Sequence, residues 1–167
     1  MVEKDTIFTS KVKYEGIFKL SDFYKFCHEW LMDEGGLGIT EKKYSEKLIG
    51  DSKDIDIEWS ATKEVTDYFK YEMEIGFKVL QLKKVEIMKG NAKIKTNEGS
   101  VSIKVKGNLI RDYKGKFEIS AFKKFLRGIY EKWVISSRID QMKDNLASIC
   151  NEFLSQSKAF LDLEGRK

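Results

Sequence analysis

Few side chains in this sequence combine the type and the spacing that catalysis needs. The chain has one histidine, His28, and two cysteines, Cys27 and Cys150. A His-Glu-x-x-His zinc motif starting at His28 would need a second histidine where the sequence has Met32. Cys27 and His28 are neighbours on a predicted helix and point about 100° apart, so they do not suit a nucleophile–base pair. We therefore predict no catalytic residue, no metal site and no cofactor, and a protein that is not an enzyme.

Three carboxylates, Asp54, Asp56 and Glu58, alternate along one predicted strand. Alternate residues on a strand lie about 6.6 Å apart, a spacing found in inverting glycosidases and suited to a loose divalent-cation site. The polar positions of residues 70–74 alternate in the same way, and cross-strand ion pairs explain both runs. We interpret the three carboxylates as part of a solvated sheet face.

Basic residues are concentrated in segment 78–116, which has eleven of them against three acids, whereas segment 41–77 has ten acids against six bases. This asymmetry predicts an anion patch on the wet face of adjacent strands, made of Lys93, Lys95, Lys104 and Lys106. RNA, DNA or a membrane surface would fit it. Lysine rather than arginine, and no interleaved aromatic residue, argue against nucleic acid. Lysine also prevents edge-to-edge strand pairing, and basic strands of one subunit would fit acidic strands of another.

Hydrophobic periodicity indicates which elements position these side chains. Residues 6–18 are predicted to form a strand, and Ser21–Asp22 opens an amphipathic helix. Between residues 44 and 113 apolar residues recur at every second position, with turns predicted at Gly90–Asn91 and at residues 97–99. This alternation predicts about six strands of an antiparallel sheet with one buried and one wet face.

The last third of the chain predicts one long helix, or two helices joined near Ser136–Ser137, because apolar residues recur at steps of three and four from 119 to 163. A continuous helix of this span would be on the order of 65 Å long, whereas a compact chain of this size is about 40 Å across. Residues 138–163 therefore either fold back over the sheet or project to an apolar partner. If they project, a short heptad-like seam would mediate self-association: Met142, Leu146, Ile149, Phe153 and Phe160.

The element order predicts an α+β fold in a single domain spanning 1–167: a curved antiparallel sheet of about six or seven strands packed on an N-terminal helix and a long C-terminal helix. This order resembles the helix-grip arrangement of START-like lipid-binding and polyketide-cyclase-like domains, although only one helix follows the first strand here. The resemblance implies that the sheet wraps the last helix and encloses an apolar cavity. Residues that would line such a cavity, or simply fill the core, are Trp59, Phe69, Tyr71, Met73, Phe77, Tyr130 and Trp133.

Composition bounds the function classes. The chain has 167 residues, of which 41% are hydrophobic and 35% charged, enough for one globular domain. No signal-peptide pattern and no run of about 18 apolar residues occurs, and we predict reduced thiols in a cytoplasmic protein without a membrane span. Three hypotheses remain. We favour a non-enzymatic structural or interaction subunit that forms a homo-oligomer through its C-terminal helix and charge-polarised sheet. The alternatives are a hydrophobic-ligand carrier and an anion- or nucleic-acid-binding module.

Overall fold

The computed structural model describes residues 3–115, 121–134 and 136–165. The strands are β1 (Glu3–Phe18), β2 (Gly38–Ile49), β3 (Ser52–Glu64), β4 (Phe69–Lys89) and β5 (Ala92–Arg111). The helices are α1 (Leu20–Asp33), α2 (Ala121–Ile129), which continues into a π-helical turn (Tyr130–Val134), and α3 (Ser136–Gly165). The predicted start of the C-terminal helix, at residues 119–120, lies outside the described residues.

The strands form one open antiparallel sheet in the order β1-β5-β4-β3-β2. The predicted α+β class and element order are confirmed, but the described residues form five strands rather than six or seven. Part of the difference arises at residues 97–99, where we predicted a turn and β5 instead continues without a break. Strand β4 is likewise continuous over 21 residues. Asn97 has a different task there, because its Oδ1 accepts a hydrogen bond of 3.2 Å from the backbone N–H of Leu20.

Helix α1 covers one face of the sheet and buries Phe23, Cys27 and Leu31. It begins at Leu20, so the predicted capping residues Ser21 and Asp22 lie inside its first turn. A helix start leaves backbone N–H groups without partners, and the side chain of Asn97 satisfies one of them from a neighbouring strand. The packing of α1 is therefore linked to the position of β5.

Helix α3 lies against β1 and β5 on the same face, beside α1. The two backbones come close at Gly107, where an added Cβ would lie 2.8 Å from the Cys150 Sγ. Of the two arrangements predicted for residues 138–163, the structure shows the folded-back one. The π-helical turn just before Ser136 separates α2 from α3 close to the predicted break.

A bulge in β4 shapes the far end of the sheet. The register with β5 shifts between Leu80 and Lys83, and Gln81 has a φ of 55°. The Asp54 Oδ1 accepts a hydrogen bond of 2.9 Å from the Gln81 backbone N–H. Gly76, in the middle of the same strand, pairs regularly with both neighbouring strands. Beyond the bulge, residues 85–96 pair only with each other and form a two-stranded hairpin arm.

Candidate functional site

The most unusual surface of the molecule is the outer side of α2 and the π-helical turn. Phe122, Phe125 and Trp133 are 67%, 64% and 73% exposed. Leu126 and Ile129 lie between them at helical spacing and are also exposed. We call these five residues the apolar helix face. Monomeric proteins seldom leave so many large apolar side chains together in water, and such patches usually mark interaction sites.

The opposite, polar side of this helix is turned toward the sheet. Arg127 forms ion pairs with Glu3 at 3.0 Å and with the buried Asp112 at 3.6 Å. Charged side chains usually face solvent, whereas these ion pairs attach α2 to the start of β1 and the end of β5. Removing one partner of such a part-buried pair leaves a charge without compensation, so these contacts fix which side of α2 points outward.

Glu131 makes a second attachment one turn further along. Its carboxylate pairs with Arg111 at 2.6 Å, and Arg111 in turn pairs with Asp5 at 2.9 Å. The Tyr68 hydroxyl donates a hydrogen bond to Glu131, and burial together with this carboxylate raises the pKa of Tyr68. The Tyr130 ring packs edge-on against Tyr68, with 5.6 Å between ring centroids. Since these contacts lie on one side, the apolar residues are left on the other.

The residues predicted to form a self-association seam are inside the chain. Met142, Leu146 and Phe153 are buried against the sheet, and Ile149 and Phe160 are partly buried against the same core. The Phe160 ring stacks on Phe26 of α1 with a centroid distance of 4.6 Å. These five side chains therefore face the core of their own chain and offer no apolar seam to a second molecule.

Five of the seven predicted cavity residues lie in the core, where they pack closely. Trp59, Phe69, Tyr71, Met73 and Phe77 are all buried. The ring centroids of Trp59 and Phe77 are 4.8 Å apart. The cavity that reaches Phe77 has a volume of only about 10 Å³. The other two do not join them, because Tyr130 packs on Tyr68 and Trp133 is exposed. The seven residues thus do not surround a ligand-sized cavity.

The predicted lysine patch is divided between the two faces of the sheet. All four lysines lie on β5, where buried Val101, Ile103 and Val105 face the helices. Residues of even number point the other way, so Lys104 and Lys106 lie on the opposite face from Lys93 and Lys95. The Lys106 Nζ is 3.8 Å from Glu74, so this face carries mixed charge. The prediction of one four-lysine patch on the wet face is therefore wrong.

A groove that sequence reasoning missed lies at the hairpin end of the sheet. It has a volume of about 1160 Å³ and opens between α1, the β2–β3 turn and the strands at the bulge. We call it the hairpin groove. Apolar alternation cannot reveal it, because its shape comes from the register shift at Leu80–Lys83 and from the length of the hairpin arm. Of the four predicted patch lysines, Lys95 lines it.

The candidate chemical groups are placed where catalysis is unfavourable. Burial raises the pKa of both Cys27 and Cys150 to about 12, which keeps the thiols protonated near neutral pH. His28 packs edge-on against Trp59, at a centroid distance of 5.7 Å. Asp56 pairs with Lys43 at 3.0 Å, as expected for a solvated sheet face.

No cluster of three or more histidine, cysteine, aspartate or glutamate side chains suitable for a metal ion occurs within residues 3–115, 121–134 and 136–165. Across the same residues, none of the helices combines the length and apolar character needed to cross a bilayer.

Comparison of this chain with protein-family models, with curated proteins and with solved structures gave no match.

Proposed function

We propose that this protein is a non-enzymatic interaction subunit that self-associates through the apolar helix face. One observation carries the proposal: α2 is attached to the sheet by its charged side and presents its large apolar side chains to water. A helix that only had to cover the core would be oriented the other way.

The exposed area is appropriate for a partner. An aromatic side chain has about 150–250 Å² of surface, so the exposed fractions of the five residues amount to on the order of 600 Å². A stable interface buries about 800 Å² on each partner, which this face supplies with a modest polar rim. In a two-fold contact the same face is used by both copies, and Phe125 and Trp133 would be its central anchors.

The decisive measurement is the solution mass, by light scattering after size exclusion at high micromolar concentration. We expect twice the 19.4 kDa chain mass for the natural sequence. Phe125→Glu and Trp133→Glu should each give the monomer, because either places a charge in the centre of the contact.

A matched control is available on the hairpin arm. Met88 is 63% exposed, nearly the same as Phe125, but lies at the other end of the sheet. Met88→Glu should leave the dimer intact. A natural chain that stays monomeric, or a Met88→Glu variant that dissociates as readily as Phe125→Glu, would refute self-association through this face.

A second candidate, docking on an anionic membrane surface, is favoured by the charges around the same face. Lys123, Lys124 and Lys132 are exposed beside the apolar residues, and the Lys132 Nζ lies 5.3 Å from the centre of the Trp133 ring. Lysines beside exposed phenylalanine and tryptophan are typical of interfacial helices. Co-sedimentation with vesicles containing phosphatidylserine, but not with neutral vesicles, would support this candidate if the protein is also monomeric in solution.

A further inference from the structure

The hairpin groove lies at the opposite end of the sheet from the apolar helix face. Helix α2 contacts the start of β1 and the end of β5 through Glu3 and Asp112. The groove instead begins at Lys19, just after β1, and extends along the β2–β3 turn and the base of the hairpin arm. Occupation of the groove would therefore leave the apolar helix face accessible.

The floor of the hairpin groove is apolar. Ile57 and Leu82 are buried beneath it, and Leu20, Val85 and Leu48 add aliphatic surface around them. Leu48 is 77% exposed, on an edge strand that buries none of its residues. This floor extends to the second, much smaller cavity, which shares Leu20 and Ile57 with it. Alkyl chain or ring surface would be removed from water here.

The rim of the groove is cationic. Two acids line the groove, Asp51 and Glu86. Five lysines also line it: Lys19, Lys53, Lys83, Lys84 and Lys95. Lys53 pairs with Glu46 at 3.5 Å. Along the hairpin arm Glu86 lies directly across from Lys95, and Glu98 lies directly across from Lys83. Because neighbouring strand residues point to opposite faces, Lys84 and Lys95 share one face and Lys83 lies on the other. The lysines of the rim outnumber its acids, and an excess of ammonium groups around a concave surface attracts anions from solution.

The bulge in β4 produces this combination of floor and rim. The pairing of β3 with β4 ends at Lys53 and Leu82, so the hairpin arm continues alone and leaves a gap beside the β2–β3 turn. Asp54 holds the bulge through its hydrogen bond to Gln81. On the β5 side the bulge needs Gly99, whose added Cβ would be 3.1 Å from the Leu80 carbonyl oxygen.

We propose that the hairpin groove binds a single-chain anionic amphiphile. Its alkyl chain would lie on the apolar floor, and its carboxylate or phosphate head would be held by Lys84 and Lys95. A volume of about 1160 Å³ is sufficient for such a ligand. An uncharged lipid would not use the ammonium groups of Lys84 and Lys95, and a small anion would leave the floor in water.

The test uses the full chain and a long-chain fatty acid with a terminal fluorophore, followed by fluorescence titration. Saturable binding is expected, and the matching fatty alcohol should bind at least about tenfold more weakly because it lacks the charge. Lysophosphatidic acid as a competitor distinguishes a phosphate head from a carboxylate, and displacement by either agrees with the proposal.

Charge-reversal variants distinguish binding in the hairpin groove from a general attraction of the anion to basic residues. Lys84→Glu combined with Lys95→Glu should weaken fatty-acid binding about tenfold or more. Lys104→Glu is the matched control, because this exposed lysine lies on the other face of the same sheet, and it should have no effect. Leu48→Asp should weaken binding through the floor without disturbing the core.

Three results would overturn the proposal: absence of saturable binding, equal affinity for the fatty alcohol, or equal losses from Lys104→Glu and the groove variants. Tight binding of a single-stranded RNA oligonucleotide that the fatty acid cannot displace would also overturn it. The solution mass of each variant should equal that of the natural chain, so failure here is distinguishable from failure of self-association.

Discussion

Replacing Gly107 with alanine tests the position of α3 on the sheet with a single added methyl group. The new Cβ would be 2.8 Å from the Cys150 Sγ, whereas ordinary contacts begin at 3.4 Å. Its next neighbours, Phe8 Cβ at 3.4 Å and Leu146 Cγ at 3.6 Å, are acceptable. The steric conflict is therefore specific to one sulfur atom on a buried helix.

The steric cost and the gain in backbone entropy together determine the sign of each expected change in stability. Overpacking of a dense core costs about 1–3 kcal/mol, while replacing a strand glycine with alanine recovers roughly 0.5–1 kcal/mol of backbone entropy. Gly107→Ala alone should therefore destabilise the protein by about 1–2 kcal/mol. Cys150→Ala alone should cost about 1 kcal/mol through the lost sulfur contacts. In the Cys150→Ala background, Gly107→Ala should be neutral or stabilising, because the atom with which it collides has been removed.

The assay is urea denaturation of the natural chain, both single variants and the double variant, followed by circular dichroism. The coupling between the two sites should be about 1–2 kcal/mol in favour of the double variant. Additive losses would show that Cys150 does not face Gly107. The placement of α3, and with it the burial of Met142, Leu146 and Phe153, would then be wrong.

Three further outcomes follow from particular contacts. Burial alone would raise the pKa of Glu72, but hydrogen bonds from Lys4 and Asn108 outweigh it and lower that pKa from 4.5. The resulting stabilisation is present above pH 4.5 and is lost as the pH falls through the lower pKa of the folded state. The natural chain should therefore lose its stability advantage over Glu72→Gln in acid, as measured by urea midpoints across pH. Cys27, fully buried with its pKa raised to about 12, should react with a thiol reagent only as fast as the chain opens, and a burst of labelling in native buffer would contradict its position. Gly99→Ala should destabilise by about 1–3 kcal/mol, because its Cβ meets backbone atoms that cannot rotate away; an unchanged thermal midpoint would show that the bulge is not as tight as described.

The sheet was predictable because its signal is local and repeats. A buried strand face requires an apolar residue at every second position, and the run through Phe69, Tyr71 and Met73 has no other simple explanation. The strand count was not predictable from residue types alone. Asn97 and Gly99 are common turn residues. Here Asn97 caps a distant helix and Gly99 fits beneath the bulge in β4, and both contacts exist only in the folded chain.

The candidate site was less predictable from the sequence than the sheet. The periodicity correctly marked Phe125 and Trp133 as part of an apolar stripe, but periodicity does not show whether a stripe faces a core or solvent. The direction of α2 is fixed by ion pairs of Arg127 and Glu131 with residues that are far away in sequence. Similarly, the turn predicted within β5 divides the four lysines between two neighbouring strands, whereas all four lie on one strand. The true register places Lys95 and Lys104 on opposite faces.

The pairing of β1 with β5 has a consequence for how the chain acquires its structure. Thr6 and Asn108 share a hydrogen bond of 2.8 Å across a separation of 102 residues. At a ribosomal rate of 5–20 residues per second, the first strand waits about 5–20 s for its partner to be synthesised. During that interval the apolar stripe of α1 lacks the sheet that later covers it. The sequence contains no proline, so prolyl isomerisation cannot limit refolding. Closing this long loop is then the step expected to set the refolding rate.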